Sequence, residues 1–160
     1  DKDLCQMVSG QDVVCLDRRK KIVTDENGVI EKFGVLPTSI PDYLALVGDA
    51  ADGIPGVARW GAKGTSTVLS QFSHVEDIPA DPAAWNPAPR GAKGLAENLS
   101  AAQDEVALYK ALAMLRLDVP ITETLDDLEW VGANESAYKT LCQELGFGRI
   151  SKAPTRWKDS

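Results

Sequence analysis

One stretch, GDAADGIPGVARWGAKG from Gly48 to Gly64, restricts this chain more than any other, because five glycines stand in 17 residues. Glycine weakens regular helix and strand and favours turns with positive φ, so this density predicts a tightly folded loop. The pattern before it, IPDYLALV, reads as a helix with Pro41 in its first turn and Tyr43, Leu44 and Val47 facing inward. The pattern after it reads as a helix from about Ala62 to Phe72, with Val68, Leu69 and Phe72 on one face. The loop is thus expected to carry Asp49 and Asp52 at one end and Lys63 at the other.

The loop closes on GAKG (Gly61–Gly64), and the same four residues recur at Gly91–Gly94. Both copies lead into helical patterns. The first N–H groups of a helix have no partner inside it and sit at the positive end of its dipole. Glycine lets an anion approach the main chain, and a neighbouring lysine adds a point charge, which together make a phosphate cradle. A single such turn is ordinarily a turn beside a solvated lysine. Two of them suit a polymer with a repeating phosphate backbone, and backbone contacts carry no sequence information. Neither copy fits GxxxxGK[ST], which argues against a nucleoside-triphosphate loop.

The net charge is −7, which by itself argues against nucleic acid. Local distribution decides binding, however, and the acids are absent around both turns. Ile54–Val75 contains no acid but has Arg59 and Lys63; Pro82–Ala96 contains none but has Arg90 and Lys93. No apolar run approaches the roughly 20 residues of a membrane span, so no membrane partner is expected. Three cysteines without CxxC spacing predict reduced thiols and a cytoplasmic location.

The remaining patterns predict a mostly α fold with a small α/β portion. Asp3 is placed to cap a short helix with Leu4, Met7 and Val8 inward and Gln6 completing a capping box. DVVCLD and KKIVTD read as a hairpin, and Thr24 or Asp25 as the cap of a helix ending at Gly34. Leu108, Leu112 and Leu115 form one core stripe, and Tyr138, Leu141 and Leu145 another. HVEDI reads as one more helical turn, DDLEW as a short extended link, and the basic tail RISKAPTRWKDS as a fraying end. His74 is expected to be solvated or capping, with no further role. The opening DKDLCQMV is an odd start for a domain, and an upstream part is expected.

Two carboxylate pairs bear on chemistry: Asp1 with Asp3, and Asp49 with Asp52. Hard cations such as Mg²⁺ take carboxylate oxygens and bridge to phosphate, and paired ions support phosphodiester hydrolysis. The plainer reading makes Asp3 a helix cap and Asp49 and Asp52 turn formers. Their nearness in sequence to the first cradle favours the metal reading.

DKDLCQMV, IPDYLALVGDAADGIPGV and WGAKGTSTVLSQF together resemble the bacterial 5'-3' exonuclease family, which includes the 5'-nuclease domain of DNA polymerase I and the flap endonucleases. DVPI and DDLEW extend the likeness over nearly the whole chain, and the stand-alone exonucleases look nearer than the polymerase-fused form. The resemblance implies the C-terminal part of a PIN-like α/β nuclease domain (1–48), a helix–hairpin–helix, SAM-like DNA-binding region (49–117), and a helical extension and tail (118–160). It implies Asp1, Asp3, Asp49 and Asp52 as catalytic metal ligands in a two-ion Mg²⁺ or Mn²⁺ site, lacking its upstream half here. It implies DNA contacts at Gly56, Val57, Arg59, Gly61, Lys63, Gly64 and Thr65, commonly with a cation such as K⁺. Arg90, Gly91, Lys93 and Gly94 fall where the family has further contacts. The expected partner is duplex DNA with a 5' end or flap, bound by a monomer. Arg59 and Trp60 depart from the family hairpin, which often reads G-V-x-G-[I/V]-G. Arginine tolerates positive φ poorly, whereas Trp60 is expected to pack on the following helix. A non-catalytic DNA-binding module is the alternative, and an RNA-directed nuclease a third reading.

Overall fold

Asp25 begins the first regular helix. Its side chain accepts from the Gly28 N–H at 2.9 Å, and α1 (Glu26–Phe33) runs until Gly34 ends it at φ 71°. Both ends match the sequence signals for cap and stop. The computed structural model describes residues 1–158; the last two positions of the basic tail lie outside the described residues. Two compact units are present, Asp1–Leu117 and Asp118–Ser160.

In the first unit a short 3-10 helix (Asp3–Met7) precedes an antiparallel hairpin of β1 (Cys15–Asp17) and β2 (Ile22–Thr24), in which Leu16 pairs with Val23. The order then runs α1, α2 (Ile40–Val47), α3 (Ala62–Phe72), α4 (Ala92–Ala101) and α5 (Gln103–Ala113). α2 is the centre of the unit. Every residue in it except Val47 is buried, and it packs against α3 and α5. A helix apolar on nearly all sides belongs inside a core, and each fully buried Leu or Ile there contributes about 1.5–3 kcal/mol. Residues from both sides of position 48 share this core, which joins Ile40, Leu44 and Leu46 to Val68, Leu69, Trp60 and Trp85.

Several expectations need correction. Asp3 does not cap: the 3-10 helix has no side-chain cap, Leu4 and Met7 are exposed, and Cys5 and Val8 face inward. Gln6 instead donates to Asp3 O and Ala113 O and accepts from Leu115 N, tying the chain start to the end of α5. On α5, Leu108 and Leu112 are exposed, and Val106 and Ala113 are the buried positions. The reason is steric, since the near face of α5 lies against the crowded α2 and takes small or β-branched residues. His74 is neither free nor a side-chain cap, because its Nδ1 lies 3.0 Å from Oδ2 of the fully buried Asp42.

In the second unit Asn134 caps α6 (Glu135–Glu144), accepting from the Ala137 N–H at 2.9 Å. Cys142 is buried while Leu141 and Leu145 are exposed, so the expected leucine stripe is not a core. DDLEW holds a 3-10 turn, Asp126–Leu128, rather than an extended link. The tail does not fray at Trp157–Lys158: this strand, β4, pairs in parallel with β3 (Ala133–Asn134), and the Trp157 ring tilts against that of Tyr138 with centroids 5.9 Å apart.

Candidate metal centre and nucleic-acid interface

The loop after α2 is held by its own backbone. Asp49 N donates to Ile54 O at 2.7 Å, Ile54 N returns to Asp49 O at 2.8 Å, and Val57 N reaches back to Leu46 O at 2.8 Å. This folding requires two glycines in contact. A Cβ on Gly56 would lie 2.6 Å from Gly48 N, and one on Gly48 would lie 2.8 Å from Ile54 O. Both also have positive φ, 89° at Gly48 and 75° at Gly56.

The folded loop sets Asp49 and Asp52 beside the 3-10 helix. One carboxylate oxygen from each of Asp3, Asp49 and Asp52 lies within 4.8 Å of the others. Asp3 is half-buried, Asp49 buried and Asp52 exposed. Asp1 stands outside this group; its Oδ1 accepts from the Asp3 N–H at 3.4 Å. Lys2, between the two acids of the opening, places its ammonium 2.7 Å from Asp49 Oδ2, while Asp49 Oδ1 accepts from Ala51 N at 3.0 Å. Burial, then repulsion from Asp52 and Asp49, pushes the Asp3 carboxyl above its ordinary pKa. The bond from Lys2 holds Asp49 below its ordinary value, against the effect of burial. Three ionised carboxylates against one ammonium leave two negative charges, and the donors are hard oxygens, so the residues fit a divalent cation of the Mg²⁺ class.

The two GAKG turns form the starts of α3 and α4, with Gly61 and Gly91 as N-cap residues. Lys63, Arg90 and Lys93 are exposed, and Gly64 is half-buried, 3.6 Å from Leu95 Cδ1 if given a Cβ. Trp60 is buried, tilts against Trp85 with ring centroids 6.0 Å apart, and donates from Nε1 to Leu95 O at 3.0 Å. It therefore packs, with its partners in Trp85 and in Leu95 of α4. Arg59 adopts φ 71°. Of the expected contact residues, Thr65 has a fully buried side chain whose hydroxyl has no hydrogen-bond partner, and Val57 is buried with its N–H donating to Leu46 O. Sequence reasoning missed Lys2, Asn98 (whose Nδ2 donates to Ala58 O at 2.7 Å) and the Asp42 network. The D-K-D spacing was a signal for Lys2 alone.

Residues 35–136 match the family described as 5'-3' exonuclease, C-terminal SAM fold. The chain belongs to this 5'-3' exonuclease family. Among its relatives, the 5'-3' exonuclease of Aquifex aeolicus is 35% identical over 152 residues, covering 95% of this chain and 49% of that protein. DNA polymerase I of Bacillus caldotenax is 36% identical over 152 residues, covering 92% of this chain and 16% of that protein. Stand-alone and polymerase-fused relatives thus align about equally, and the chain spans from about a sixth to a half of their length. Among solved structures, T5 5'-exonuclease with divalent zinc ions bound overlays with a TM-score of 0.58 at 24% identity, covering 71% of this chain and 40% of that one. That likeness supports the mostly helical, SAM-like fold with its small sheet portion. Among the described residues, no helix of this exonuclease-family chain is long and apolar enough to cross a membrane.

Proposed function

We propose that this chain is part of a metal-dependent 5'-3' nuclease that hydrolyses DNA phosphodiesters and grips duplex DNA, at a 5' end or flap, without reading its sequence. The observation that carries this reading is the convergence of Asp3, Asp49 and Asp52 on one point, at the head of the loop that ends in the first GAKG turn. Asp3, Asp49 and Asp52 would hold Mg²⁺ or Mn²⁺, with Asp1 beside them bonded to the Asp3 backbone. The chemistry such ions supply when bound is activation of water and stabilisation of the leaving oxygen. The zinc ions described for T5 5'-exonuclease support a divalent cation. Lys63, Arg90 and Lys93, with the open backbone at Gly61, contact phosphates, and the protein acts as a monomer in the cytoplasm.

Three converging carboxylates make one ion position, and a two-ion site needs further ligands. Metal ligands act as a unit, so we infer that these 160 residues alone cleave at a rate near zero. The alternative, a non-catalytic DNA-binding module, draws support from one contact, the Lys2 ammonium on Asp49 Oδ2.

Mn²⁺ titration followed by electron paramagnetic resonance, with Asp49→Asn beside the unmodified chain, separates the two. Binding that weakens by at least roughly tenfold in the variant is expected. Equal binding by both chains would overturn the metal reading. Cleavage of a labelled 5'-flap duplex in the same Mn²⁺ buffer checks the inferred inactivity, and cleavage lost in Asp49→Asn would overturn it.

A further inference from the structure

The side chain of Arg59, two residues before the first GAKG turn, reaches the second. A Cβ built on Gly94 would lie 3.2 Å from Arg59 Cζ and closer still to Nη1, and one built on Gly91 would lie 3.3 Å from Arg59 Nη2. The guanidinium is therefore seated on the backbone of the second turn, in space that exists because both positions lack a side chain. Trp60 Nε1 to Leu95 O and Asn98 Nδ2 to Ala58 O flank the seat and fix the first hairpin to α4.

This placement is uphill for the free protein. Arg59 holds φ 71°, which an L-residue adopts at a cost. No carboxylate pairs with it among the described residues. Its charge lies at the first turn of α4, which has no acid, carries Lys93 and follows Arg90. A cation at the positive end of a helix is disfavoured. Arg59 is exposed, and an anionic partner that meets both turns would offset the placement of its charge at the helix start.

We propose that Arg59 is a positioning residue that couples the two GAKG turns, its guanidinium on Gly91 and Gly94 joining them into a single cationic face for two neighbouring stretches of phosphodiester backbone. The proposal rests on the duplex-binding reading and deepens it, making the second turn a dependent partner of the first rather than a separate cradle.

Two substitutions test it without relying on a damaged fold. Arg59→Gly removes the guanidinium and relieves the positive φ. Gly94→Ala raises intrinsic helix preference and displaces the guanidinium, the far end of a flexible side chain. Both variants are expected to melt at or above the temperature of the unmodified chain. Binding of a fluorescently labelled DNA duplex, measured by anisotropy across a salt series, is expected to weaken roughly tenfold in each. The double variant should be no weaker than Arg59→Gly alone, since coupled groups do not add. The salt slope should fall by about one or more phosphate contacts in Arg59→Gly.

If Gly94→Ala binds as the unmodified chain does while Arg59→Gly is weakened, Arg59 is an independent phosphate contact and the coupling is overturned. If both variants bind normally, the inference alone fails. If the unmodified chain binds no duplex at low salt, the duplex reading fails and takes the inference with it.

Discussion

The two ends of α2 each bear a buried aspartate paired with a lysine, and they differ in almost everything else. Asp42, in the first turn, takes Lys110 Nζ at 2.7 Å and Val75 N at 2.9 Å on one oxygen and His74 Nδ1 at 3.0 Å on the other. Every partner is a donor, and the lysine side chain is only 14% exposed. Asp49, just past the last turn, takes Lys2 at 2.7 Å and faces two further carboxylates, and its lysine is 36% exposed. In the first the acid is saturated with partners, and its lysine also pairs with Glu76 at 2.7 Å. The second is left short of positive charge at an open edge. A buried aspartate–lysine pair is thus not a functional signal in itself; the company of the acid decides.

The contrast is sharpest in stability. Asp42→Asn should cost about 3–5 kcal/mol, because it breaks a buried pair and leaves Lys110 with only the more exposed Glu76. Asp49→Asn should cost less, since the more exposed Lys2 can return to water and repulsion with Asp3 and Asp52 is relieved. Denaturant unfolding of both variants measures the difference; equal losses would erase the distinction between the two ends.

A smaller effect separates them in pH. Burial works against the charged form of Lys110, but bonds from Asp42 and Glu76 outweigh it and raise its pKa above the ordinary lysine value. A lysine with a raised folded pKa contributes stability that is complete below the unfolded value of about 10.4 and is lost as pH rises through the folded one. The unmodified chain should therefore lose stability in that alkaline window more steeply than Lys110→Met, in thermal melts run across it. Matching slopes would mean that Lys110 does not stabilise the fold.

The smallest expected change is at Lys2. Its ammonium occupies an oxygen that a divalent cation would use, so Lys2→Met should tighten Mn²⁺ binding several-fold in a calorimetric titration. Weakened binding would instead mean that Lys2 orders Asp49 for the ion, and the open end would then be as closed as the other.

What the sequence revealed follows from how local each feature is. The glycine-dense loop, the Asp25 cap, the Gly34 stop and the starts of α3 and α4 depend on neighbouring residues, and all were readable. The inner face of α5 was not, because Leu108 and Leu112 and the pair Val106 and Ala113 both recur at helical spacing. Only the close approach of α2 selects the smaller set. His74 with Asp42, Lys2 with Asp49 and Arg59 on Gly94 join residues more than 30 positions apart, and nothing local marks them. Asp3, Asp49 and Asp52 were legible as metal-ligand candidates, but as members of two separate pairs; their convergence, which leaves out Asp1, joins residues more than 40 positions apart.

The contact between Gly48 and Gly56 bears on how this protein can vary. In a library of random substitutions screened for folding, those two positions should accept no other residue, while Gly61, which has φ −95° and open space around it, should accept alanine freely. The spacing of the acids would then be inherited through two backbone atoms that cannot move apart, and selection on the carboxylates would be felt as selection on the glycines.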